Sequence, residues 1–193
     1  MDIHVTKTKL DGVVVIDTDF FRDERGFFIE VYHKERYAAA GITDEFVQDN
    51  HSRSAQKVLR GLHYQDTTAP MGKLVRCTVG SVLDVAVDLR VGAPTFGQWV
   101  AVELSAENMR QIMVPEGYGH AFVTLSDFAE VHYKCTGLYT PSSEGGVRWN
   151  DPDIGIEWPF ADPVLSGRDQ ESPSLAEYLQ KPAFRYNGAG APL

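Results

Sequence analysis

Short apolar runs dominate the middle of the chain. β-Branched residues are frequent in these runs, and turn residues separate them about every 8–12 positions. This spacing is typical of a sandwich, a jelly roll or a small barrel. We therefore predict strands at 12–16, 26–32, 73–79, 82–89, 99–104, 111–114, 121–125 and 130–135. Gly80 and Ser81, between two of these runs, are typical of a two-residue β-hairpin turn.

Helix signals are sparse. Residues 34–40 predict a short helix that ends at Gly41. Ser174, with Glu177 three residues later and Pro182 beyond, predicts a second helix at 174–181. We expect one all-β domain over residues 1–193. Within it, residues from about 161 to 193 form a C-terminal extension with a short helix, and the Gly- and Ala-rich end, 187–193, is expected to be mobile.

Composition and charge exclude several classes of protein. The chain has 193 residues and a formal net charge of −9, which argues against a nucleic-acid-binding surface. It lacks both the long apolar run of a membrane span and the apolar stretch of a signal peptide at its start, so we expect a cytoplasmic protein. Cys77 and Cys135 lie in apolar strand-like runs, which predicts reduced, buried thiols.

The histidines suggest a metal site that the sequence then fails to complete. Pro115-x-Gly117-x-x-His120 matches half of the metal motif of cupin barrels. The other half requires His-x-His, but His63 is isolated and Gln65 stands where the second histidine would be. One or two imidazoles hold a metal ion poorly. We therefore predict a pocket without metal or cofactor.

Two polar side chains are predicted to point into the barrel. Alternation along a strand places Lys73 and Tyr133 each on an apolar face, the first with Val75, Cys77 and Val79, and the second with Val131 and Cys135. Other readings stay open at this point. A lysine at the start of a strand is usually solvated, a strand tyrosine is usually part of the core, and a lone histidine such as His63 is usually structural.

Several cations are concentrated early in the chain, at Arg25, Arg53, Arg60 and Lys73. Arg25 stands beside Gly26 and two phenylalanines, Phe27 and Phe28, a combination that suits a pyrophosphate and a stacked base. Solvated surface arginines are the alternative interpretation.

A series of motifs then identifies a family. From about residue 5 to residue 170 the chain resembles the dTDP-4-dehydrorhamnose 3,5-epimerases, which are metal-free jelly rolls of the cupin type. The resemblance rests on segments that follow one another in the family's order. They are Asp23-Glu24-Arg25-Gly26-Phe27-Phe28, Phe46-Val47-Gln48-Asp49-Asn50-His51-Ser52, Leu59-Arg60-Gly61-Leu62-His63-Tyr64-Gln65, Gly72-Lys73-Leu74-Val75-Arg76, Asp84-Val85-Ala86-Val87-Asp88-Leu89-Arg90, Pro94-Thr95-Phe96-Gly97, Tyr133-Lys134-Cys135-Thr136, Trp149-Asn150-Asp151-Pro152 and Gly155-Ile156-Glu157-Trp158-Pro159.

The resemblance implies a role for each of four residues. His63 would be the general base, and Tyr133 the general acid on the opposite face of the sugar ring. Asp169 would hydrogen-bond to His63 and fix its tautomer, and Lys73 would face the C4 oxygen of a dTDP-linked 4-keto-6-deoxy sugar. Binding of the nucleotide and diphosphate is implied for Arg25, Glu30, Gln48, Asp49, Asn50, Arg60, His120, Tyr139, Glu144 and Arg168, with Phe27 stacked on the thymine. A homodimer is also implied, because a neighbouring subunit completes the nucleotide site in this family.

One segment departs from the family pattern. Gly119 and Ala121 flank His120 where most members have an alanine before the histidine and a glycine after it. Both flanking residues remain small, so we expect His120 to keep its place. Besides 3,5-epimerisation, the alternatives are inversion of a single carbon, a ketoisomerase on a related dTDP-ketosugar, and a non-catalytic sugar-binding or nucleotide-binding cupin.

Overall fold

The computed structural model describes residues 1–188. The predicted mobile end lies mostly outside this range, in residues 189–193. Fifteen strands are present in the described part: β1 Ile3–Lys7, β2 Val14–Thr18, β3 Phe21–Asp23, β4 Gly26–Phe28, β5 Gln48–Ala55, β6 Leu59–Gln65, β7 Lys73–Val79, β8 Ser81–Asp88, β9 Arg90–Val91, β10 Trp99–Ser105, β11 Gln111–Val114, β12 Tyr118–Thr124, β13 Phe128–Cys135, β14 Glu144–Gly146 and β15 Phe184–Arg185. The helices are α1 Lys34–Ala39, α2 Gly167–Gln170 and α3 Leu175–Gln180, with a 3-10 turn at Pro141–Ser143.

Two antiparallel sheets form the body of the fold. The larger has the strand order β1-β2-β11-β7-β13-β5, and the smaller has the order β10-β8-β12-β6-β14. Strands that follow one another in sequence often lie in different sheets, which is how the two sheets of a jelly roll are connected. The prediction of an all-β jelly roll with a few short helices, mainly near the C-terminus, is confirmed.

The predicted hairpin at Gly80 is wrong. β7 pairs with β11 and β13 in the larger sheet, whereas β8 pairs with β10 and β12 in the smaller one. The turn therefore carries the chain from one sheet to the other. Gly80 has a φ of 71°, and a Cβ there would lie 2.2 Å from the carbonyl oxygen of Phe128. A tight turn favours glycine whether it joins two strands of one sheet or passes from one sheet to the other. The glycine at this position therefore could not distinguish a hairpin from a corner.

Apolar residues fill the space between the sheets and cover the outer face of each. The inner core includes Val75, Cys77 and Val131, as the alternation predicted, whereas Val79 is 37% exposed at the end of its strand. Cys77 and Cys135 are buried and free, as expected. The outer face of the smaller sheet packs against the C-terminal segment through residues such as Leu175, Tyr178 and Phe184.

The structure confirms the two predicted helices but differs from the prediction for the early strands. Helix α1 ends before Gly41, and α3 begins after Ser174 with the predicted capping box to Glu177. The strand predicted at 26–32 is much shorter, because β4 ends at Phe28 and forms only a small hairpin with β3. Sequence patterning missed β5 and β6, whose many polar residues obscure their alternation.

Candidate active site

A cavity of about 580 Å³ opens between the two sheets. From the smaller sheet, β6 and β12 contribute Arg60, His63 and His120 to its lining. From the larger sheet, β5, β7 and β13 contribute Asn50, Lys73 and Tyr133. His63 and Tyr133, predicted from the sequence to work together, therefore stand on opposite walls of one cavity.

An irregularity in β6 brings Arg60 and His63 to the same wall. Residues three apart in a regular strand point to opposite faces. Here His63 pairs with His120 and Arg60 pairs with Phe122, so an extra residue is accommodated between them, opposite Ala121. Gly61 occupies this bulge with a φ of 121°, and a Cβ there would lie 2.5 Å from the carbonyl oxygen of His120. The bulge therefore requires glycine at this position.

His63 is held by a carboxylate from a distant part of the chain. Its Nε2 lies 2.5 Å from Oδ1 of Asp169, whose side chain is 3% exposed. If Nε2 donates to this carboxylate, Nδ1 is left as the basic nitrogen. Burial opposes ionisation of Asp169, but the hydrogen bonds from His63 and Ser166 and the charge of Arg168 outweigh it and lower the pKa of this carboxyl group.

Arg168, beside Asp169 on α2, connects His63 to the edge of the cavity. Its Nη2 lies 3.1 Å from Nε2 of His63, and its Nη1 donates to Glu144. Glu144 also accepts a 2.8 Å hydrogen bond from the hydroxyl of Tyr139, which raises the pKa of that phenol. Within a single chain, the Glu144 carboxylate is therefore engaged by a cation and a hydroxyl at the edge of the cavity.

On the facing wall, Lys73 and Tyr133 are neighbours. The ammonium of Lys73 lies 5.9 Å from the centre of the Tyr133 ring. Burial lowers the pKa of Lys73, and burial also raises the pKa of the Tyr133 phenol. Tyr133 therefore keeps its proton well above neutral pH and can act as an acid. Among residues 1–188, no side chain forms an ion pair with Lys73, so its charge is available to a ligand.

A second histidine–carboxylate pair borders the same cavity. Nε2 of His120 lies 2.9 Å from Oδ2 of Asp84, and Asp84 is fully buried. His120 keeps its place in the cavity wall despite the swapped neighbours, as expected. Asp84 was not predicted as a partner of His120. Its position in the middle of the apolar run Val82–Val87 was a usable signal, because a buried charge requires a partner.

Three of the predicted binding residues lie away from this cavity. Arg25 and Phe27 are on the β3–β4 hairpin, where Phe27 is 56% exposed and Arg25 pairs with Asp23. Glu30 follows the hairpin and forms an ion pair with Arg36 at 3.0 Å. Within one chain, Arg25 and Phe27, the residues expected to contact the pyrophosphate and the thymine, therefore do not reach the cavity.

Strand alternation separates two further candidates. Asn50 faces the cavity, so its neighbour Asp49 faces outward and forms a 2.8 Å ion pair with Lys134. Gln48 shares the inward face, where its amide donates to Asn50 at 3.1 Å and its oxygen accepts from the backbone N–H of Tyr139 at 3.0 Å. Gln48 therefore supports the edge of the cavity, whereas Asp49 belongs to the outer face of the sheet.

Neither a metal-ligand cluster nor a membrane-spanning helix is present in the described part of the chain. Across 1–188, no three His, Cys, Asp or Glu side chains are grouped so that they could hold a metal ion. The helices in this range are all too short or too polar to cross a membrane.

The fold and the cavity together define a class: a jelly roll that places a carboxylate-bound histidine opposite a tyrosine and a lysine. Such a set suits proton transfer beside a carbonyl group. The model of the dTDP-4-dehydrorhamnose 3,5-epimerase family matches residues 7–177. The chain belongs to this family.

Individual relatives agree with this assignment. The dTDP-4-dehydrorhamnose 3,5-epimerase of Salmonella typhimurium is 54% identical over 177 residues, covering 91% of this chain and 97% of that protein. A crystal structure of dTDP-6-deoxy-D-glucose-3,5-epimerase from Legionella pneumophila, in complex with dTDP-4-keto-L-rhamnose, has a TM-score of 0.92 and 46% identity, covering 96% of this chain and 100% of that one. The dTDP-4-dehydrorhamnose 3-epimerase of Streptomyces niveus is 41% identical over 169 residues, covering 87% of this chain and 82% of that protein.

Proposed function

We propose that this chain is a dTDP-4-dehydrorhamnose 3,5-epimerase. It converts dTDP-4-keto-6-deoxy-D-glucose to dTDP-4-keto-L-rhamnose, an isomerase reaction in the synthesis of dTDP-L-rhamnose. The observation that carries the proposal is the placement of His63 and Tyr133 on opposite walls of one cavity, with Lys73 beside Tyr133. Inversion of a carbon requires removal of a proton from one face and its return from the other, which two groups on opposite walls can perform.

Removal of the proton depends on the base and on its orientation. His63, with Nε2 bound to Asp169, presents Nδ1 to the hydrogen on the carbon next to the ketone. A positioned base of this kind contributes about 10²–10⁴-fold to the rate. The Asp169 carboxylate also stabilises the imidazolium that forms when His63 takes the proton.

Stabilisation of the enolate depends on Lys73. Negative charge develops on the C4 oxygen as the proton leaves, and a cation in a partly buried site stabilises that charge far more than one in water. Tyr133 then donates its proton to the other face of the same carbon. His63 then releases its proton to solvent and Tyr133 regains one from solvent, so that the same groups can invert a second carbon, also adjacent to the ketone.

We further propose that the working form is a homodimer. The hairpin of β3 and β4 exposes three large aromatic side chains, Phe21, Phe27 and Phe28. A second copy that received this hairpin would bury them and bring Arg25 and Phe27 to the nucleotide. In each copy Asn50, Arg60, His120 and Arg168 line the cavity and are available to the diphosphate. Glu144 and Tyr139 hold Arg168 in this role.

The location and the domain organisation follow from other features. Two free, buried cysteines support a reducing compartment, which we propose to be the cytoplasm. The C-terminal segment packs on the outer face of the smaller sheet, which supports a single domain over the whole chain.

Inversion of a single carbon is a second candidate. The relative from Streptomyces niveus, 41% identical, is named as a 3-epimerase. Since proton removal at either carbon uses the same base, acid and cation, this alternative involves the same cavity residues.

Solvent isotope incorporation tests both candidates. Incubation with dTDP-4-keto-6-deoxyglucose in deuterated water should place deuterium at carbons 3 and 5 of the sugar. Label at only one carbon would support the single-carbon epimerase. Absence of label under conditions where an established 3,5-epimerase incorporates it would contradict the proposed function.

A further inference from the structure

The hydroxyl of Ser166 lies behind the His63–Asp169 pair. It donates a 2.8 Å hydrogen bond to Oδ2 of Asp169, while Oδ1 of the same carboxylate holds His63. The backbone N–H of Asp169 donates in return to the Ser166 hydroxyl at 3.2 Å. Each oxygen of this nearly inaccessible carboxylate therefore has its own partner.

Two partners define the orientation of a carboxylate better than one does. The terminal torsion of an aspartate has a broad energy minimum, so a carboxylate with a single hydrogen bond can still turn about its Cβ–Cγ bond. We propose that Ser166 is a positioning residue: its hydroxyl fixes the Asp169 carboxylate, which in turn fixes the His63 ring. This inference rests on the proposed role of His63 as the base.

The Ser166 hydroxyl also affects the pKa of the Asp169 carboxyl group. A hydrogen bond from Ser166 favours the ionised form of Asp169 and contributes to its lowered pKa. Without that bond the ionised form of Asp169 loses a stabilising contact, so this carboxyl group holds its proton more tightly. The form with Asp169 ionised is then lost at a higher pH as the pH falls. Removal of the hydroxyl should therefore move the acidic limb of activity upward.

Ser166 has a second function that the experiment must separate from the first. It is the N-cap of α2, the helix that carries Arg168 and Asp169. Glycine caps a helix almost as well as serine but has no hydroxyl, so Ser166→Gly removes the contact to Asp169 and largely keeps the cap. Ser166→Thr keeps both functions. Ser174→Gly is the matched control, because Ser174 is the N-cap of α3 and lies outside the cavity.

The variants are compared with the wild type for kcat and KM between pH 3 and 9, for melting temperature over the same range and for binding of dTDP. We expect Ser166→Gly to lower kcat about tenfold to a hundredfold, the size of one lost hydrogen bond to a charged group. Its acidic limb should move upward, while dTDP affinity changes by less than about twofold. Ser166→Thr should restore most of kcat, and Ser174→Gly should match the wild type in kcat and pH profile.

Each opposing result is distinct. Unchanged kcat and an unmoved acidic limb in Ser166→Gly would overturn the proposal. A raised KM with unchanged kcat would also overturn it, because Ser166 would then be a substrate contact. Nitrogen-15 NMR of the His63 ring gives a readout without substrate: the Nε2–H tautomer should predominate in the wild type and mix with the other in Ser166→Gly. An inactive wild type that still shows this difference would contradict the proposed function and leave the positioning role standing.

Discussion

The cavity and the β3–β4 hairpin differ in where their polar groups find partners. His63 and His120, in the cavity, each have a carboxylate supplied by the same chain, Asp169 and Asp84. The hairpin exposes Phe27 and Phe28, and Arg25 pairs with its near neighbour in sequence, Asp23. The groups for proton transfer are thus assembled within one copy, whereas Arg25 and Phe27, proposed for the nucleotide, lie outside the cavity of their own copy. Substitutions in the cavity should therefore act on kcat, and substitutions in the hairpin on KM.

Removal of the base should have the largest effect. We expect His63→Ala to lower kcat about 10³-fold or more, since the cavity wall offers no second group in its position. Isothermal titration should find dTDP affinity within about threefold of the wild type, because a base contributes little to ground-state binding. His4→Ala, at a side chain that is 62% exposed, is the control for loss of a histidine. Deuterium exchange that persisted in His63→Ala would assign the base elsewhere.

Lys73 should determine both the size of kcat and the pH at which activity falls on the alkaline side. Lys73→Met removes the cation and should lower kcat about 10²–10³-fold, as loss of a group that stabilises an oxyanion does. Burial lowers the pKa of Lys73, so the active cation is lost, and activity falls, at a lower pH than for an exposed lysine. Lys73→Arg, which stays charged, should move the alkaline limb of kcat/KM upward. Lys181→Met controls for loss of a surface charge, and an unmoved limb in Lys73→Arg would exclude Lys73 as its source.

Mixing two defective variants tests the separation between cavity and hairpin. If each hairpin completes the site of its partner, a heterodimer of His63→Ala and Arg25→Ala subunits has one intact site. Random reassortment after mild denaturation should then recover about a quarter of the wild-type activity at low substrate concentration, where Arg25→Ala alone is impaired in KM. Activity equal to the mean of the two separate variants would show that each cavity works with its own hairpin.

The smallest effect is expected at Asp23. This carboxylate and its partner Arg25 are solvent-exposed, and exposed pairs contribute little to stability. We expect Asp23→Ala to leave the melting temperature within about 1 °C of the wild type. KM should change by less than about threefold, because Arg25 is retained. A large loss of stability would mean that the hairpin is anchored to the rest of the protein through this pair.

The sequence predicted strands well where apolar residues alternate or cluster. The bounds of β7 and β11 were predicted correctly, because a buried strand of β-branched residues leaves a clear pattern. β6 was missed, because its polar residues and its bulge at Gly61 together obscure the alternation that would have revealed it. The corner at Gly80 was interpreted as a hairpin, since a turn determines the local backbone and not which sheet receives the next strand.

The site was predictable to a different extent. Alternation placed Lys73 and Tyr133 on inward faces but left other readings open, and the family motifs then added His63 and Asp169. Contacts across the fold could not be derived from spacing. The hydrogen bond between His63 and Asp169 joins residues 106 positions apart, and Asp84 meets His120 across neighbouring strands. Asp49 was assigned to the site with its neighbours, although alternation along β5 directs it to the opposite face.

Helix α2 has a consequence for the response to heat. It comprises only Gly167–Gln170, yet it holds Asp169, the hydrogen-bond partner of the proposed base His63. A single helical turn has few hydrogen bonds of its own, so it opens at a lower free-energy cost than the sheets that surround the cavity. Local unfolding of this turn would remove Asp169 from His63 while the barrel stayed folded. Warming should therefore abolish epimerisation reversibly, several degrees before the sheets melt.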